Sequence, residues 1–127
     1  MYKKVLAGLL LFGILTTMLT ACAIYDESSA SAGPTVHMGN ANFLQSAITV
    51  SKGQSLTVVD DVGVEHILKN GTWQGGTQVL KSEPGAPTVN LTFNGGDTNT
   101  IGPFNTAGKF QILCTIHPAM NLTVTVQ

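Results

Sequence analysis

The 127-residue chain contains no arginine, and all six of its cationic side chains are lysines. Charged residues make up only 10% of it, so no dense basic face can form. Nucleic-acid backbones are held by clustered cations, and that class of partner is excluded. Cysteine is almost as scarce, with only Cys22 and Cys114. Two cysteines cannot build a disulfide framework, and C-x-x-C-H, the haem-attachment pattern, does not occur. Beyond residue 34 no apolar repeat of 3.6 residues appears, which argues against amphipathic helices. Aromatic residues are few, and Trp73 is the single tryptophan.

What is present begins with a leader. Lys3 and Lys4 precede an uncharged, mostly apolar run from Val5 to Leu19, followed by Leu19-Thr20-Ala21-Cys22. A basic start, an apolar core and small residues before a cut site make a secretory signal. A cysteine directly after the small residues resembles the bacterial lipobox, which implies cleavage before Cys22 and lipidation of it. The competing readings are an ordinary signal peptide or an uncleaved anchor, although the apolar run is short for a span of about 20 residues. Residues 1–21 are therefore expected to be a lipoprotein signal peptide. Residues 22–34, small and polar, are expected to be a tether with too little apolar surface to bury. Without residues 1–21 the chain keeps four lysines and seven carboxylates, a formal charge of −3.

Residues 35–127 read as one domain of short strands. Ala47 to Val50 runs into a Ser-Lys-Gly turn, and Leu56 to Val59 meets Asp60-Asp61. Val62, Val64, His66 and Leu68 fall on one face of a third strand. Thr88 to Phe93 makes another. Phe110, Ile112 and Cys114 share a face, and Met120, Leu122, Val124 and Val126 alternate with polar residues. Alternation of this kind, broken by regular turns, predicts an all-β antiparallel sandwich or barrel. Residues 70–87 carry glycines and two prolines and read as a long loop, with a short strand near Thr77 to Leu80. Trp73 within it either shields a site or packs the loop down, the more ordinary role.

The stretch Cys114-Thr115-Ile116-His117-Pro118-Ala119-Met120 carries the chemistry. A lone cysteine in an exported chain is either reactive or bound to something. Packing alone would explain His66 or Met120 taken singly. It does not explain Cys-x2-His-x2-Met in one turn with an inward histidine upstream. Nucleophilic catalysis needs a base and an orienting group, and no third residue suggests itself near Cys114 and His117. Structural zinc rarely takes methionine. Two imidazoles, a thiolate and a weak axial thioether form the type 1, or blue, copper site. A binuclear copper centre would need a second cysteine in the loop. Of the other histidines, His37 lies before the first clear strand and is expected to be a surface or first-strand residue.

The loop resembles the ligand loop of the cupredoxin family, with the short spacing of its amicyanin and pseudoazurin members. Val59 to Gly71 resembles the family segment that carries the first histidine. The resemblance implies a Greek-key β-sandwich and one copper ion, cycling between Cu(I) and Cu(II), held by His66, Cys114, His117 and Met120. It also implies a one-electron carrier rather than an enzyme. Redox proteins would dock near His117, the membrane would be met through lipidated Cys22, and the chain would act as a monomer outside the cytoplasm. A copper-binding or copper-delivery module without electron transfer is the alternative.

Overall fold

A computed structural model of the chain describes residues 32–127, which form nine strands and no helix. They are β1 (Thr35–Met38), β2 (Ala47–Val50), β3 (Leu56–Asp60), β4 (His66–Gln74), β5 (Thr77–Leu80), β6 (Asn90–Phe93), β7 (Thr98–Ile101), β8 (Gly108–Cys114) and β9 (Asn121–Val126). The leader, and Cys22 with it, lies outside the described residues. Among the described residues no helix is long and apolar enough to cross a membrane.

The strands form two sheets. One runs β1-β3-β7; the other runs β2-β9-β8-β4-β5, with β6 also paired to β4. The expected β-sandwich is present, but it is mixed rather than wholly antiparallel. β1 pairs parallel to β3, and β2 pairs parallel to β9. Alternation reports which face a residue takes and says nothing about strand direction.

The inward faces make one apolar core. Val36, Met38, Leu56, Val58 and Ile101 from the smaller sheet pack in one cluster with Leu68, Phe93, Phe110, Ile112, Leu122 and Val124 from the larger. In β9 the expected alternation is complete: Leu122, Val124 and Val126 are buried and Thr123 and Thr125 are not. In β8 both faces are apolar near the end, where Ile112, Leu113 and Cys114 are all buried.

Two expectations change. Residues 62–65 are a turn, not the start of an inward strand, and β4 begins at His66. The Asp60 carboxylate holds that turn by accepting the Val62 N–H at 3.1 Å. Residues 70–74 are strand rather than loop. β4 continues through them into a hairpin with β5, joined by Gly75 and Gly76. Both glycines have positive φ, 53° and 80°, as a two-residue hairpin turn that matches strand twist requires. Gly71, at φ 138°, lets β4 bend where a side chain would strike the Val79 carbonyl.

Candidate metal centre

His66 opens β4 and is fully buried. Two residues later Leu68 sits opposite Cys114, the last residue of β8 and also fully buried. The ladder between β4 and β8 thus carries histidine and cysteine to one end of the sandwich. The chain then turns back toward β9 within six residues. Three backbone hydrogen bonds hold that turn. Cys114 N–H donates to the Met120 carbonyl at 3.0 Å, Met120 N–H to the His117 carbonyl at 3.2 Å, and Thr115 N–H to the Ile67 carbonyl at 2.8 Å. Ala119 takes a left-handed conformation, φ 63°, to close the turn. For a residue with a Cβ this costs about 1–2 kcal/mol.

The result gathers three donors. Sγ of Cys114 lies 3.7 Å from Nδ1 of His66 and 3.5 Å from Nδ1 of His117. All three donor atoms lie within 4.8 Å of one another. The two imidazole rings are 4.8 Å apart and tilted by 54°, and both bring Nδ1 to the same sulfur. Bonds of about 2.0 Å to nitrogen and about 2.3 Å to sulfur, spread about 120° apart, separate N from S by about 3.7 Å. The spacing therefore suits one ion between them. Met120 is buried at the foot of the loop, its backbone tied to Cys114 and His117. Two imidazoles and a thiolate so arranged fit a single copper ion.

Burial lowers the pKa of His66 from its ordinary value, and the neighbouring His117 lowers it further. Asp60 and the backbone at Gly39 pull the other way without prevailing. A neutral imidazole keeps the lone pair that a metal needs. Asp60, at the end of β3, is itself buried, with Oδ1 4.0 Å from His66 Nε2. Sequence reasoning treated it as a turn residue. Its contribution depends on β3 reaching across from the other sheet, which no local pattern reveals.

His37 stands apart from the donors. It lies in β1, 40% exposed, with Nδ1 2.9 Å from an Asp61 carboxylate oxygen. Trp73 is half-buried in β4, and its indole N–H donates to the Cys114 carbonyl at 2.8 Å.

No protein-family model matches the chain, and no curated protein matches it. Solved structures do. Amicyanin from Paracoccus versutus is 21% identical, over 77% of this chain and 83% of that one, with a TM-score of 0.56. An amicyanin variant in its reduced Cu(I) form at pH 4 is 17% identical, over 80% and 87%, with a TM-score of 0.57. A purple cupredoxin from Nitrosopumilus maritimus is 18% identical, over 74% and 99%, with a TM-score of 0.56. Shared architecture at this identity, with the donor cluster at the end where the β8–β9 loop closes, makes the fold of this chain that of the cupredoxins.

Proposed function

We propose that the chain binds one copper ion through His66, Cys114, His117 and Met120 and serves as a one-electron carrier. The observation that carries this reading is the approach of two Nδ1 atoms to one buried Sγ at 3.7 and 3.5 Å. When bound there, copper supplies one-electron redox chemistry.

The chain's own residues account for the rest. Strands β4 and β8 fix two donors in a rigid ladder, and the short loop fixes the other two. A preset geometry limits rearrangement between two charge states. The fully buried Cys114 and His66 keep water from those donors. His117 is half-buried, and Ile116, Pro118 and Ala119 around it are exposed. Ile116 is 41% exposed and, with Pro118 and Ala119, offers an apolar rim for a redox protein to cover. His117 is then the donor nearest such a partner. The chain has no reaction of its own in this reading. The leader and Cys22 support placement outside the cytoplasm, lipid-anchored to a bacterial cell membrane, with the carrier acting as a monomer.

Visible absorption and EPR spectra of the Cu(II)-loaded protein test the proposal. A strong thiolate-to-copper band with small hyperfine splitting is expected, and Cys114→Ser is expected to abolish it. A weak band with wide splitting in the unaltered protein would mean that the copper lacks a thiolate. The carrier reading would then give way to a copper-delivery module.

A further inference from the structure

We propose that Trp73 is a cross-brace that fixes both ends of the donor loop, and that it is a positioning residue for the metal site. This rests on the reading of Cys114 to Met120 as the donor loop, but the brace itself is testable without metal.

At the end of β8 the backbone N–H groups of Cys114 and Thr115 find carbonyl partners, while their own carbonyls are met by side chains. The Trp73 indole N–H donates to the Cys114 carbonyl at 2.8 Å, and the Gln78 amide donates to the Thr115 carbonyl at 2.7 Å. Trp73 and Gln78 are a cross-strand pair on the β4–β5 hairpin. One hairpin therefore satisfies two successive carbonyls at the start of the loop.

The same tryptophan reaches the other end of the loop through its backbone. Its N–H donates to Oδ1 of Asn121 at 2.7 Å, and its carbonyl accepts from Nδ2 of Asn121 at 3.2 Å. Asn121 directly follows Met120, and both of its amide atoms are taken by this one residue. The side chain mimics a neighbouring strand. Through Trp73, the cysteine end and the methionine end are tied to a single rigid point. These contacts join residues 41 and 48 positions apart in sequence, so they are not made by the loop itself. A buried carbonyl that loses its donor is costly, which gives the brace its hold.

The test is hydrogen exchange on the metal-free full chain, comparing the unaltered protein with Trp73→Phe and Asn121→Ala. Trp73→Phe keeps an aromatic ring but removes the N–H together with part of the indole. Asn121→Ala leaves the ring untouched and guards against a Trp73 variant that fails to fold. Loop amides Cys114, Thr115 and Met120 are expected to exchange on the order of tenfold faster in each variant. The Thr57 and Asp60 amides of the other sheet, bonded to Pro34 and Asp97, serve as the reference and are expected to stay within about twofold. Loading with Cu(II) is expected to shift the charge-transfer band and the hyperfine splitting in both variants, whereas a merely packing role of the indole would move Trp73→Phe alone. Unchanged loop exchange in both variants, or an equal rise in both sheets, would overturn the brace. A failed copper spectrum beside loop-specific exchange would remove the metal reading and leave the brace intact.

Discussion

All three clustered donors come from the six-stranded sheet or from the loop joining β8 to β9, whereas the three-stranded sheet supplies none. Yet the smaller sheet holds much of the core, through Val36, Met38, Leu56 and Val58, and carries Asp60 to within 4.0 Å of His66. One sheet presents the chemistry. The other excludes water from it and shapes its electrostatics. The lesson is that a site can be confined to one layer of a sandwich while its environment is set by the opposite layer.

That division can be broken deliberately. The largest effect is a double dissociation. Cys114→Ser is expected to erase the charge-transfer band while costing the metal-free fold less than Leu56→Ala. Leu56→Ala, in the fully buried heart of the smaller sheet, is expected to lower stability by about 2–5 kcal/mol and leave the spectrum of the folded fraction unchanged. Denaturant titration and absorption on the same samples check both; a spectrum altered by Leu56→Ala would show that the layers are not separable.

Acid sharpens the comparison next. His66 is held below its ordinary value of 6.5, chiefly by burial, so on acidification the unfolded chain takes up that proton first. Stability from this group is fully present above about pH 6.5 and falls as pH drops toward the lowered folded value. Thermal melts of the metal-free protein are expected to show that fall, and His66→Gln to flatten it. The smallest effect belongs to the exposed histidine of the smaller sheet. His37→Ala removes a surface pair with Asp61, is expected to cost under about 1 kcal/mol, and should leave the copper spectrum untouched.

The donor cluster was legible because its signal is local and chemical. Two of the three clustered donors, Cys114 and His117, fall within four positions, and His66 is buried on the inward face that parity assigns it. Strands β8 and β9 were legible for the same reason, since one apolar face survives along their whole length. The misreadings, and the strand that sequence pattern did not suggest, have physical causes. β7 has one large apolar residue in Thr98–Ile101, so pairing with β3 rather than composition makes it a strand. The glycines of the β4–β5 hairpin look like loop residues, but they supply a bend and a turn within a continuous ribbon. Asp60 next to Asp61 reads as a turn and is instead a buried strand end, because its carboxylate caps Val62 and faces His66.

The parallel pairing of β1 with β3 sets the direction in which the domain faces. Met38 lies beside Asp60, at the donor pole, while Thr35 lies beside Thr57 and Gly33 packs against Ser55. Moving from Met38 back to Gly33, the chain travels about 3.3 Å per residue away from the donors. The described residues therefore begin at the opposite pole, near the turn at Lys52 and Gly53. The domain thus has an inert end, where the described residues begin, and a working end, where half-buried His117 meets the surface.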